Sequence, residues 1–280
     1  MEANRAQAEY WRSPAGLAWI EHEHALDTAM AGMLETVLDA AEIAPGDRVL
    51  DIGCGTGAST IAAAARVPRG SVLGIDISAP LLDRAERRCR AAGIGNAAFL
   101  LADAQSHAFA QGGADRLVSR LGTSFFADPV AAFRNLALGL RPGGRMAFSC
   151  WAAVAENPWF RIPGEAARAR LGPVAVGDPD APGPTAFADA GRVAGLMAAA
   201  GLREICAEPV AIVLTPPGGA VGAARAASRV GPAARIMKAR QGSAADAATI
   251  ETAVRYAFAP FAEAGEIRVP ALVNLFTCRI

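Results

Sequence analysis

The segment Val49-Leu50-Asp51-Ile52-Gly53-Cys54-Gly55-Thr56-Gly57 constrains this chain more than any other. A short apolar strand runs directly into a glycine-rich turn, with a carboxylate two residues ahead of the first glycine. Glycine permits positive φ and close approach of backbone to a ligand. A helix opening near Thr56 would direct its free N–H groups at the same point. The unit therefore reads as a nucleotide cradle on a parallel α/β sheet. Asp51 narrows the ligand: a dinucleotide would place an anionic pyrophosphate beside this carboxylate, whereas S-adenosylmethionine (SAM) brings an α-amino group and a sulfonium, both cationic.

The sequence from Asp47 to Trp151 alternates short apolar runs with helical patterns, as a parallel sheet requires. Strands are expected at Arg48–Ile52, Val72–Ile77, Ala98–Ala102, Asp115–Ser119 and Arg145–Cys150. Helices are expected from about Gly57 to Val67, from an N-cap at Ser78 to near Gly93, and from Pro129 to Leu140. Beyond Trp151 the pattern loosens. Six prolines between residues 152 and 187 are expected to break any long element. A helix then reads from Ala188 to Ala200, a strand from Leu202 to Leu214, and a final β-rich strand from Val269 to Arg279. Residues 216–265, between the last two strands, are alanine-rich and helical in pattern. A hairpin needs only a few residues there, so this stretch reads as a helical insertion, most simply a substrate lid. Residues 1–45 read as an N-terminal helical cap bearing Trp11 and Trp19. The core is thus expected to comprise residues 46–215 and 266–280.

Gly53, Gly55 and Ala58 also satisfy the dinucleotide pattern G-x-G-x-x-G/A, and Asp76 stands about where a ribose carboxylate would. An NAD(P)-dependent oxidoreductase is therefore the rival reading. Net charge argues against another class: 27 Lys and Arg balance 27 Asp and Glu, leaving no basic field for a nucleic acid.

Taken together, Asp51-Ile52-Gly53-Cys54-Gly55-Thr56-Gly57, Gly74-Ile75-Asp76-Ile77-Ser78, Asp103-Ala104, Ser119-Arg120 and Arg141-Pro142-Gly143-Gly144 resemble the class I SAM-dependent methyltransferases. The resemblance is nearest the bacterial branch related to ubiquinone/menaquinone-biosynthesis methyltransferases. It covers about Trp11 to Trp159 and fades beyond. It implies a Rossmann-like α/β fold with a seven-stranded sheet of order 3-2-1-4-5-7-6, the last strand antiparallel. It also implies SAM as cofactor: Asp51, Gly53, Cys54 and Gly55 at the glycine turn, Asp76 and Ile77 at the ribose, Asp103 and Ala104 at the adenine, and Ser119 after the fourth strand. A carboxylate after the second strand can independently accept two hydrogen bonds from a vicinal diol.

Catalysis within this reading is methyl transfer by in-line displacement to a small-molecule acceptor. His24 and His22 are the candidates for a base. Both lie on the candidate N-terminal helix, where about 200° of rotation separates them and at most one can face the pocket. Trp19, Phe125 and Trp151 are the candidate pocket aromatics, against the ordinary packing role of such side chains. Cys54 reads as packing beneath the ligand. The five cysteines lack metal-ligand spacing, no metal is expected, and no signal peptide or membrane span is seen. The expectation is a cytoplasmic protein with no nucleic-acid or membrane partner, compatible with a homodimer. A SAM-binding module without transfer activity fits the same residues.

Overall fold

The computed structural model describes residues 4–175 and 177–280. Seven strands form one sheet: β1 (Arg48–Ile52), β2 (Ser71–Asp76), β3 (Ala97–Leu101), β4 (Ala114–Arg120), β5 (Leu140–Trp151), β6 (Arg203–Leu214) and β7 (Val269–Arg279). Their spatial order is 3-2-1-4-5-7-6. Strands β1 to β5 pair in parallel, and β7 runs antiparallel to both β5 and β6. The central strand β1 is buried from Val49 to Ile52, as expected of a parallel strand covered on both faces.

Helices cover both sides of the sheet. On one face, α4 (Ala31–Ala40) and α5 (Ala58–Arg66) bury Leu34, Val37, Leu38, Ala63 and Ala64 against Val49, Val72, Val118 and Ala147. On the other, α7 (Pro129–Gly139) and α9 (Ala190–Ala199) bury Phe133, Leu136, Val193 and Met197 against Ile52, Leu117 and Phe148. Helix α7 begins where Pro129 and the Asp128 cap predict, the Asp128 carboxylate accepting from the Ala131 N–H at 3.0 Å. Helix α6 (Ala79–Ala91) follows Ser78, but the Ser78 hydroxyl is spent elsewhere, donating to the Trp11 carbonyl at 3.0 Å.

Three expectations are corrected. Residues 152–187 do hold a long element, the 14-residue helix α8 (Pro158–Leu171). Pro158 occupies its first turn, where no intrahelical N–H is needed, and the interior Pro163 is accommodated in a buried, well-packed segment. Strand β5 starts at Leu140 rather than Arg145. Its pairing with β4 passes an irregularity between Ala114 and Arg116, and Gly143, inside the strand, takes φ +73°. The N-terminal cap is four short helices, α1 (Arg5–Arg12), α2 (Pro14–Glu21), α3 (Glu23–Ala29) and α4, with His22 at the break between α2 and α3.

The insertion between β6 and β7 consists of α10 (Gly219–Arg229), α11 (Pro232–Ala239) and α12 (Ala244–Phe258), followed by a short hairpin, Ala262–Glu263 with Glu266–Ile267. Helix α12 opens on a capping box formed by Ser243 and Asp246. These helices share one apolar cluster with α8, with Leu26, Met30 and Met33 of the N-terminal cap, and with Trp151. The Phe258 ring stacks on Trp159 with centroids 6.1 Å apart.

Candidate cofactor and acceptor site

The glycine turn closes on the neighbouring strand. The Gly53 and Cys54 N–H groups donate to the Ile75 carbonyl at 2.8 and 3.2 Å, which fixes the turn against β2. Gly53, Gly55 and Gly57 take φ of +67°, +56° and +88°. The reasons for glycine differ. A Cβ on Gly53 would stand 2.7 Å from the Gly122 Cα, because the turns after β1 and β4 are pressed together. A Cβ on Gly55 would meet nothing within 4 Å, so its bare face is turned to open space where a ligand can approach.

Three carboxylates stand at the carboxyl ends of β1, β2 and β3, where ligands bind in open α/β sheets. Asp51 is fully buried; its Oδ2 accepts from the Ser59 and Thr60 hydroxyls at 2.7 and 2.6 Å, and its Oδ1 has no partner. Burial pushes its pKa up to about 6, opposed by those hydroxyls and by Arg120. Asp76 accepts from the Gly55 N–H at 2.8 Å and the Ser78 N–H at 2.9 Å. Burial raises its pKa, and those backbone donors hold it down. Asp103 accepts from the Gln105 N–H at 3.0 Å. The Asn4 carboxamide donates to both Asp103 oxygens, at 2.9 and 3.0 Å, while accepting from the Ala127 N–H at 2.9 Å. Beside them Ile77 is half-buried, Ala104 is buried, and the buried Ser119 hydroxyl donates to the Ile52 carbonyl at 2.7 Å, tying β4 to β1. The Cys54 thiol is raised well above its ordinary value, first by burial and then by Asp76 and Asp51. It is packed near Gly74, which suits the expected packing role and not a nucleophile.

Helix α1 straps the two outer loops together. Asn4, just before it, holds the loop after β3. At its other end the Trp11 carbonyl accepts from Ser78, after β2. Trp11 meets Phe125 and Trp19 edge-on, with centroids 5.3 and 6.1 Å apart. Trp19 and Phe125 are thereby brought into one aromatic group. Trp151 lies apart, 3% exposed and edge-on to Phe160 at 4.8 Å. His22 is largely covered, its side chain 14% exposed, whereas His24 is exposed.

A charged network that the sequence pattern did not reveal lies over the glycine turn. Glu23 on α3 pairs with Arg84 on α6. Asp27, one turn on, meets Arg88 at 2.8 Å and Arg120 at 2.9 Å. Arg88 Nη1 also donates to the Thr56 carbonyl and hydroxyl, both at 3.0 Å. Spacing of Glu23 and Asp27 by one helical turn was the available signal; their partners are distant in sequence and were not readable from it.

The residues fit SAM. The bare Gly55 face gives room for a ligand, and the orphaned Asp51 oxygen is an acceptor for a cationic group.

Residues 49–144 match the methyltransferase domain family. Aklanonic acid methyltransferase DauC of Streptomyces sp. strain C5 is 35% identical over 114 residues, covering 40% of this chain and 52% of that protein. Nocamycin O-methyltransferase of Saccharothrix syringae is 36% identical over 111 residues, covering 39% of this chain and 40% of that protein. The match thus spans about half the length of these relatives. The crystal structure of the YcgJ protein from Bacillus subtilis superposes with a TM-score of 0.56 over 92% of this chain and 98% of that one, at 19% identity, and shares the fold. Residues 49–144 thus form a methyltransferase-family domain, carried on a sheet of order 3-2-1-4-5-7-6.

Proposed function

We propose that this chain transfers a methyl group from SAM to a small-molecule acceptor. The observation that carries the reading is the set Asp51, Asp76 and Asp103 at three adjacent strand ends around a Gly55 face open to a ligand. Asp76 would hold the ribose diol, Asp103 and Ala104 the adenine, and the glycine turn the amino-acid end. When bound, SAM supplies an activated methyl group open to in-line displacement by an acceptor nucleophile. The chain's own share is alignment and exclusion of water. Helices α10 to α12, packed on α8 and on the N-terminal cap, are the elements suited to enclose the acceptor. A small-molecule acceptor is supported by the names of the relatives, an aklanonic acid methyltransferase and a nocamycin O-methyltransferase.

An amine, thiolate or ionised oxygen acceptor needs no base. For a neutral hydroxyl or carbon acid, His22 is the better placed of the two histidines, since its imidazole is largely covered while His24 faces solvent. Calorimetric titration tests the cofactor: S-adenosylhomocysteine should bind at micromolar affinity and NAD(P) should not. Affinity for NAD(P) alone would establish the oxidoreductase reading. Multiple-turnover release of S-adenosylhomocysteine across small carboxylic acids, phenols and amines tests transfer, and no turnover with any would favour a binding module. A His22→Ala/His24→Ala double variant with undiminished turnover would remove the base.

A further inference from the structure

In the proposed complex the cofactor crosses the sheet strand by strand, with adenine at Asp103 after β3, ribose at Asp76 on β2 and the glycine turn after β1 taking the rest. The next strands in that order are β4 and β5. A group that receives the methyl therefore approaches over their carboxyl ends.

Both strands carry an unused hydrogen-bond donor there. Arg120 ends β4, Ser149 stands near the end of β5, and the two are direct partners in the sheet register. Partners on neighbouring strands project from the same face with backbones about 5 Å apart. Ser149 is fully buried and its hydroxyl has no partner. The Arg120 side chain is 8% exposed; Asp27 Oδ1 fixes its Nη2 at 2.9 Å, while its Nη1 has no partner. Asp27 is shared with Arg88, which it meets at 2.8 Å, so Arg120 does not have that carboxylate to itself. A buried donor left unpaired is costly, and two in one register pair call for a shared acceptor atom. Around them the surface is apolar. Trp151, two residues beyond Ser149 and on the same face, joins Leu26, Met30 and Leu121 in one cluster.

Two donors require oxygen lone pairs, yet a donor on the attacking oxygen would blunt it. A negative charge spread over two oxygens meets both demands, because one oxygen can be held while the other attacks. We propose that Arg120 and Ser149 form an acceptor subsite for such an oxyanion, a carboxylate or the enolate of a 1,3-dicarbonyl, carried on an apolar body. This rests on the SAM reading above and names its acceptor class. Arg120 Nη1 and Ser149 Oγ donate to one oxygen. The other forms the new O–CH3 bond as the S–CH3 bond breaks and leaves its electron pair on sulfur. The acceptor enters as an anion and leaves neutral, the sulfonium becomes a thioether, and no proton moves. Neither His22 nor His24 has a part in that step. Asp27 is a positioning residue that holds the guanidinium fork.

Calorimetry without turnover tests the subsite. The complex with S-adenosylhomocysteine is titrated with benzoate and with benzamide, its neutral isostere, in wild type, Arg120→Met, Arg120→Lys and Ser149→Ala. Wild type should bind benzoate about 10-fold or more tightly than benzamide, the scale of a charge-assisted hydrogen bond. Arg120→Met should abolish that preference, and Arg120→Lys and Ser149→Ala should narrow it. Affinity for S-adenosylhomocysteine should stay within about twofold throughout, a small fraction of one such bond. Equal affinities in wild type, no saturable benzoate binding, or a preference untouched by Ser149→Ala would overturn the subsite. So would an Arg120→Met variant that loses S-adenosylhomocysteine affinity and keeps the benzoate preference, since Arg120 would then serve the cofactor. The wild-type contrast and Ser149→Ala decide the matter even if Arg120→Met fails to fold. A wild type that does not bind S-adenosylhomocysteine would instead remove the SAM reading itself.

Discussion

Asp51→Asn is the substitution that separates ligand binding from folding most sharply. Asp51 is fully buried, and its pKa rises from the ordinary 3.8 to about 6, so the folded chain holds this proton more tightly than the unfolded chain does. A rise of about two units corresponds to about 3 kcal/mol. The sign follows from proton binding: between roughly pH 4 and pH 6 the native state binds more protons than the unfolded one, so stability falls as pH rises through that window. Above pH 7 the whole cost is present. Asn removes the charge while its carbonyl still accepts from the Ser59 and Thr60 hydroxyls. Without cofactor, Asp51→Asn should therefore be more stable than wild type at pH 8, by up to about 3 kcal/mol, with the gap closing towards pH 4. Urea denaturation of both proteins from pH 4 to pH 8 measures it. Asp115 and Asp246, whose pKa values are lowered, are common to both proteins and cancel in the difference, and the repulsion from Asp76, itself raised by burial, is already part of the Asp51 shift. Binding should move oppositely, the variant losing about tenfold in S-adenosylhomocysteine affinity for want of the ammonium acceptor. A stability gap independent of pH, or a variant less stable at pH 8, would refute the electrostatic account.

The glycine turn gives a paired prediction. Gly55→Ala should cost about 1–2 kcal/mol for its left-handed backbone yet lose most S-adenosylhomocysteine affinity. Gly53→Ala should cost a further 1–3 kcal/mol or so by overlap with the Gly122 backbone, seen as a larger fall in the urea midpoint. Asn4→Ala should free the end of α1, destabilising by about 1.5–3 kcal/mol and raising amide hydrogen exchange across Arg5–Arg12. Unchanged protection there would mean that Asn4 does not fasten the strap. Phe258→Ala, deleting a fully buried ring that stacks on Trp159, should cost about 3–5 kcal/mol, with exchange rising first in α10 to α12.

The cofactor half of the fold was legible because its signals are local. A strand, a glycine turn and a helix occupy consecutive residues, and Asp51, Asp76 and Asp103 each end a short apolar run. The strand order followed from the resemblance, not from periodicity. What escaped the sequence is what depends on distant pairing. Asn4 meets Asp103 across 99 positions, and Arg120 meets Asp27 across 93. Neither pair leaves a spacing to read. Helix α8 was missed for another reason: prolines count against a helix in isolation, while Trp159, Phe160 and Ile162 bury enough apolar surface to hold one together. The break at His22 likewise undid the two-histidine rotation argument, which required one continuous helix.

The place where the helical insertion leaves the sheet has a consequence for how such chains diversify. Leu214 and Val269, its flanking residues, are direct partners on one rung of the β6–β7 ladder. The excursion from Thr215 to Arg268 thus departs and returns at neighbouring points, and the sheet closes whether the excursion is long or short. Whole alternative cassettes can be exchanged at this rung without disturbing the strands that carry Asp51, Asp76 and Asp103. The constraint on a graft is the shared apolar seam with α8 and α3, so a chimera built at Leu214 and Val269 should fold only if Trp159, Phe160 and Leu26 find matching partners. If the insertion encloses the acceptor as proposed, replacing it as a module would change specificity and leave the strand ends of the sheet in place.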